Sequence, residues 1–370
     1  MSLRGEAERK TYVVLDKLTS GTGDDVFLTH HEIFDGKFVQ KTVRMHGLED
    51  ALASHEPTFL HQLEHPQIVP VREAQWDPDY EQAITFVMPH MPGGSVDDAL
   101  VEGYRFSLTD SVTIIVDVLD ALGYVQQEFK AVHRDTKPGN VLLDGDRSRG
   151  YASDFGSAAT LAGDGQAEAV LGTNIYRPPE ARLTGRIGVA SDVYGLGMTL
   201  FEMLSGRIAW EAMDLSAVED RLGRGLRAVP DTLISFDPMV PSRLRRCVRK
   251  AIHRDPERRF KTMHDFITAL RGVTTIDWRH VDGTGLEGEW RGTWPPQLAT
   301  GRRLEYRVTS RVLGAGKSRG QLRVEAHART PRGGWRQAVA AITVSPDDRR
   351  ALDQFFSDVQ DKAAHRAPAR

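Results

Sequence analysis

Apolar and polar positions alternate with a period of two through most of the first hundred residues. Tyr12–Lys17, Val26–His31, Phe38–Arg44, Val69–Gln75 and Gln82–Met88 carry this pattern, which predicts strands. From Ser107 the period lengthens. Leu108, Val112, Ile115, Leu119 and Leu122 fall on one helical stripe, with Ser107 or Thr109 placed to cap it. Further helices are predicted around 190–205, 242–253 and 262–271. Past Val273 the texture changes to short alternating runs, glycine-containing turns and the tryptophans Trp278, Trp290, Trp294 and Trp335. These tryptophans read as the core of a small sheet. Within it, Glu305–Val312 and Gln321–His327 are predicted strands joined by a hairpin turn. A closing helix is predicted with Ser345 as cap, Pro346 in first position, and Asp347 and Asp348 in the first turn. Phe355 and Phe356 would pack it onto the sheet. A strand-rich part followed by a helix-rich part implies two lobes around a cleft. The expected class is α+β, with residues 1–274 as one domain and 275–370 as a β-rich second one.

Composition narrows the setting. With 40% hydrophobic and 27% charged residues among 370, the chain can fill a core and is not disordered. The longest clean apolar run, Ala338 to Val344, falls far short of the ~20 residues a bilayer requires. The start is charged and shows no apolar secretory stretch. One cysteine, Cys247, excludes intrachain disulfides and thiolate metal clusters and fits a reducing cytoplasm; a cytoplasmic location away from membranes is expected. Residues 1–274 carry 31 basic and 40 acidic side chains, residues 275–370 carry 17 and 11. The basic residues of the second part are interleaved with acids and form no block, which argues against nucleic acid as partner.

The chemistry concentrates in two stretches. His133-Arg134-Asp135-Thr136-Lys137-Pro138-Gly139-Asn140 follows the long helix and precedes the strand-like Val141-Leu142-Leu143; Asp154-Phe155-Gly156 lies nineteen residues beyond Asp135. Together they resemble the catalytic loop and metal-binding triplet of the eukaryotic-type (Hanks-type) protein kinases, bacterial serine/threonine members above all. The resemblance covers roughly residues 12 to 272. It implies a two-lobed catalytic domain that transfers the γ-phosphate of ATP to protein serine and threonine hydroxyls, with Mg2+ or Mn2+. Such a reaction spreads negative charge over the transferred group, so the site must supply metal and cation while placing a hydroxyl in line. By the resemblance, Asp135 is the catalytic base and Lys137 steadies the γ-phosphate. Asn140 and Asp154 hold the metal, while His133 is structural.

The resemblance assigns further residues. In Phe38-Val39-Gln40-Lys41, Lys41 would bind the α- and β-phosphates, with Glu56 as its helix partner. Pro57 fits that helix if Ser54 caps it and Pro57 sits in the first turn. Val26 and Met88 join the nucleotide-binding set with Gly21 and Gly23 of the phosphate-covering loop. There the sequence departs from the family: only Gly21 stands in register, Thr19 and Asp24 replace two glycines, and Gly23 sits one place early. This departure bears on ATP affinity and leaves open a nucleotide-binding scaffold without transfer. Gly172-Thr173-Asn174-Ile175-Tyr176-Arg177-Pro178-Pro179-Glu180 resembles the segment that receives a substrate peptide; it disfavours a small-molecule phosphotransferase. Thr173 would contact the catalytic loop, Glu180 would pair with Arg259, and Asp192 would anchor the loop backbone. Arg134 is placed to meet a phosphate on the activation segment, yet Ser157 to Leu171 offers only Ser157 and Thr160 as acceptors. Glu168 is expected to be its permanent partner instead, with regulation entering through 275–370, which is also the expected protein-partner surface. Leu313-Gly314-Ala315-Gly316-Lys317-Ser318 imitates a phosphate-binding loop, but Arg311 stands where that motif needs glycine.

Overall fold

Five antiparallel strands build the upper sheet of the computed structural model, which describes residues 11–18, 25–44, 58–77, 83–169, 175–283, 286–294 and 303–365. They are β1 (Tyr12–Leu18), β2 (Asp25–His31), β3 (Gly36–Arg44), β4 (Glu73–Trp76) and β5 (Ala83–Pro89), in the order β1-β2-β3-β5-β4. A helical turn, α1, is described over residues 58–62. Val26 stands opposite Lys41, and Val39 opposite Met88. Side chains two apart on a strand share a face, so Val26, Val39, Lys41 and Met88 line one side of the sheet.

The strand expected over Val69–Gln75 is shorter and starts later. Ile68 bridges Ala152 in parallel, Val69 N–H donates to the Ala152 carbonyl at 2.9 Å, and Ala152 N–H donates to Gln67. These residues are therefore stitched to the lower lobe, and Pro70, lacking an N–H, ends the pairing before β4 begins.

The lower lobe opens with α2 (Val96–Val101) and the long α3 (Leu108–Phe129). Ser107 caps α3 by accepting from Asp110 N–H at 3.0 Å; Lys130, at φ 52°, ends it in the left-handed region. Six short strands follow: β6 (Ala131–Val132), β7 (Val141–Leu143), β8 (Gly150–Ala152), β9 (Ala159–Thr160), β10 (Ala167–Glu168) and β11 (Arg186–Ile187), the last after α4 (Pro179–Leu183). They pair as three ribbons, β6–β9, β7–β8 and β10–β11. Helix α5 (Val189–Ser205) is buried over most of its circumference, as the central helix of a core must be. Around it lie α6 (Leu215–Gly223), α7 (Ser242–Ala251) and α8 (Met263–Arg271).

The remaining chain forms an antiparallel sheet, β12 (Asp277–Asp282), β13 (Gly288–Trp294), β14 (Leu304–Val312), β15 (Leu322–Arg329) and β16 (Arg336–Gln337), with β17 (Ile342–Val344) also on β15. Trp278 and Trp290 meet the Phe356 ring of α9 (Arg349–His365) edge-on, at 5.6 and 5.4 Å. Residues 313–320 are the expected hairpin turn, closed by Leu313 N–H on Gln321 O. Helix α9 begins three residues later than the sequence suggests. Ser345 organises a separate turn, and Asp348 takes the cap by accepting from Ala351 N–H at 3.1 Å. A proline ring at 346 tolerates either role, so the sequence alone does not choose.

This sheet shares one continuous core with the lower lobe, through Ile276, Trp278 and Trp290. Polar contacts fasten the seam. Asp237 accepts from Trp290 Nε1 at 3.0 Å and lies 3.3 Å from His280 Nδ1. Asp353 takes two hydrogen bonds from Arg245, at 2.6 and 2.8 Å. Asp277 accepts from Thr109 N–H at 2.9 Å, satisfying an orphan donor at the start of α3.

Candidate active site

The loop from His133 to Asn140 leaves β6 and is held from below by α5. Asp192, 2% exposed, accepts from His133 N–H at 2.8 Å and Arg134 N–H at 3.0 Å. Helix and loop approach so closely that a Cβ on Gly195 would lie 2.1 Å from Thr136 Oγ1; only glycine fits. The sequence reading took Asp192 from this stretch and passed over Gly195, although a glycine inside a helical apolar run is itself a signal of close approach. His133 Nε2 lies 2.9 Å from Ser153 O, and its ring packs on Phe155. That is a structural role, as read.

Above the loop, Lys137 Nζ meets Asp135 Oδ2 at 2.6 Å, and Asn140 Nδ2 donates to Asp135 O and Oδ2 at 2.7 and 3.1 Å. The β7–β8 ribbon brings the second stretch alongside. Val141 pairs with Ala152, and Ser153 donates both its N–H and its hydroxyl to Asn140 O. Asp154 follows at φ 59°, in the left-handed region where a non-glycine residue is uncommon. Lys41 Nζ reaches it from β3, 2.7 Å from Oδ1. Burial tends to raise the Asp154 carboxyl, but the charge and hydrogen bond of Lys41, with His133 and Lys137 beyond, outweigh it and hold it below the usual carboxylate range.

These residues fit a divalent metal carried on phosphate. Asn140 uses its amide nitrogen on Asp135, which leaves Oδ1 for an ion; Asp154 likewise keeps Oδ2 beside its Lys41 contact. Magnesium takes one or two protein oxygens and completes its shell with phosphate and water.

The segment that resembles a peptide-receiving one is anchored through Glu180 of α4. Arg259 is buried and forks onto Glu180 at 2.6 and 2.7 Å, and Ser191 Oγ donates to the same carboxylate. Two partners went unread in the sequence. Tyr176 donates its hydroxyl to the buried Glu202 at 2.8 Å, while Glu202 also accepts from Ile208 N–H. Arg177 is half-buried and close enough to Glu219 and Asp135 to feel both charges. The expected Arg134–Glu168 carboxylate pair takes another form. Arg134 donates to the main-chain carbonyls of Ser157 and of Glu168, the latter at 3.0 Å. The β10–β11 ribbon carries the Glu168 carbonyl, and Ser157 lies in the short turn before β9, so main-chain groups take up the guanidinium. Gly21, Gly23, Glu56 and Thr173, with Thr19, Asp24, Ser54 and Pro57, lie outside the described residues.

A five-stranded lobe lowering a lysine onto an aspartate at the edge of a helical lobe, beside an Asp-Lys-Asn loop, defines a protein-kinase-like molecule. The chain belongs to the protein kinase family, whose domain model matches residues 12–268. It is 28% identical over 273 residues to the serine/threonine-protein kinase PrkC of Bacillus subtilis, covering 72% of this chain and 41% of that protein. A probable serine/threonine-protein kinase PknB of Lactococcus lactis is 27% identical over 263 residues, 70% and 40% of the two chains. The serine/threonine-protein kinase PknJ of Mycobacterium tuberculosis is 32% identical over 225 residues, 58% and 37%. The chain thus spans about two-fifths of the length of the curated relatives it matches. Among the described residues, no helix is long and apolar enough to cross a membrane.

Proposed function

We propose that the chain is an ATP- and Mg2+-dependent serine/threonine protein kinase of cytosolic signalling, with 1–274 catalytic and 275–370 an interaction or regulatory domain. The observation that carries this is the convergence of Lys41, Asp135, Lys137, Asn140 and Asp154 at one end of the β7–β8 ribbon. Asp135, fixed by Lys137 and Asn140, orients a substrate hydroxyl and receives its proton. Lys137 moves from Asp135 to the incoming phosphate, and Lys41 serves the α- and β-phosphates. Asn140 Oδ1 and Asp154 would hold the metal, Mg2+ or Mn2+, which when bound neutralises charge on the β- and γ-phosphates. The buried Glu180–Arg259 fork supports a protein rather than a small-molecule acceptor, because it braces the segment beside Asp135 that would carry a peptide.

The test is incubation with γ-labelled ATP, Mg2+ and a generic protein substrate, followed by phosphoamino-acid analysis. Label on phosphoserine or phosphothreonine is expected. Nucleotide binding without label in any protein would instead establish the scaffold reading.

A further inference from the structure

The outer face of the C-terminal sheet carries a row of cations that the active site does not use. Register places Arg279 opposite Arg291, Arg291 opposite Arg307, Arg307 opposite His327, and His327 opposite Gln337. Like charges directly opposite on a sheet are destabilising, so each arginine calls for compensation. Arg279 finds it in Asp110 at 2.9 Å, Arg291 in Glu289, and Arg329, two places along β15 from His327, in Glu305 at 2.7 Å. Arg307 finds none: among the described residues no group accepts from its guanidinium, and its Nε is shut away from solvent without a partner. Directly opposite, His327 Nδ1 is equally enclosed and unpartnered. The Trp335 ring lies against both guanidinium groups, 4.9 Å from Arg307 and 4.5 Å from Arg329.

Enclosed polar atoms nearly always have partners. The two enclosed atoms are out of a ligand's reach, but the outer nitrogens of Arg307 and Nε2 of His327 are open and unpartnered among the described residues, so an outside group can complete the cluster. A guanidinium without an acceptor, steadied by an indole and joined by an imidazole, matches the oxygens of a phosphate monoester. The neighbouring rows decide how large the anion is. Glu289, Thr309 and Glu325 stand on one side, Asp277, Thr293 and Glu305 on the other. A nucleic-acid backbone needs a continuous basic track, whereas a single phosphate fits between flanking acids. We propose that Arg307, His327 and Trp335, beside the Arg329–Glu305 pair, form a phosphate-binding site that receives a phosphoserine or phosphothreonine of a protein segment. The choice of source rests on the kinase reading, since that group is the product this chain would make; the site itself rests on the sheet.

The test uses the full chain without ATP. Immobilised pools of nine-residue peptides carry a central phosphothreonine or a central threonine with randomised flanks. Retention on the phosphorylated pool alone is expected, reduced about tenfold or more in Arg307→Gln. His327→Gln makes the same test should the arginine variant fold poorly. Free phosphopeptide should displace the chain at lower concentration than inorganic phosphate or single-stranded oligonucleotide. Absence of retention, equal retention by both variants, or tighter binding of inorganic phosphate or oligonucleotide overturns the proposal. Because no transfer enters the assay, its failure leaves the catalytic reading untouched, and a chain that binds the peptides but transfers nothing would sink only the latter.

Discussion

Lys41 carries a side-chain contact between the two lobes. Its bridge to Asp154 is partly open to water, with side chains 18% and 40% exposed. An ion pair of that kind adds only about 0–1 kcal/mol to stability. It also acts on the Asp154 carboxylate, offsetting the burial that would otherwise favour protonation. Replacing Lys41 by Met should therefore lower phosphate transfer by about 100-fold or more while moving the melting temperature by no more than a few degrees. Transfer rates and thermal melts of the same preparation check this. A collapse in melting temperature would make the lysine structural.

At the scale of elements, the activation segment is tied by backbone rather than by phosphate. Arg134 already donates to two main-chain carbonyls, that of Glu168 in the β10–β11 ribbon and that of Ser157 in the turn before β9. The Ser157→Ala/Thr160→Ala double variant should keep most of its activity towards an added protein substrate; a folded but inactive variant would contradict this. The Tyr176–Glu202 contact carries a pH signature. Burial lifts the Glu202 carboxyl to about 7, against the opposing hydrogen bonds from Ile208 and Tyr176. A folded-state pKa above the ordinary 4.5 means the folded chain keeps a proton the unfolded chain has lost. The stability from this group is fullest below pH 4.5 and is lost as pH rises through about 7. Glu202→Gln, which imitates the protonated form, should flatten the fall of melting temperature between about pH 4.5 and 7 and stabilise the chain above that range by about 2–3 kcal/mol. An unchanged slope in thermal melts across that range would refute the assignment.

The same elements show what the sequence could reveal. Asp135, Lys137 and Asn140 lie within one loop, so the resemblance that implies their roles is legible in a single stretch of sequence. Glu202 reads as one polar residue in an apolar helix, because its partner Tyr176 lies 26 positions away and no local period connects them. The turn at Ser345 offers two equally good caps, and tertiary packing chose Asp348.

Over the whole molecule, the part beyond residue 274, set apart in the sequence by its change of texture, is not loosely joined to the rest. Trp290 is 1% exposed, stacks on His280, meets Phe356 and donates across the seam to Asp237. Trp290→Ala should cost about 3–5 kcal/mol. Its unfolding by calorimetry should remain a single transition, because one core serves both parts. Two separate transitions in the parent chain would show the parts to be thermodynamically independent. The outward-facing arginines of the sheet were invisible as a row in the sequence, since register, not spacing, aligns them.

The central claim is that Asp135 acts on the acceptor hydroxyl inside a competent kinase cleft. It is tested most directly by transfer of labelled γ-phosphate to protein serine or threonine, measured for the parent chain and for Asp135→Asn, with Mg2+–ATP affinity determined on the same samples. The account predicts robust transfer by the parent, a loss of about 1,000-fold in the variant, and nucleotide affinity unchanged within about threefold. Equal transfer by both proteins, or loss of nucleotide binding in step with transfer, would contradict it.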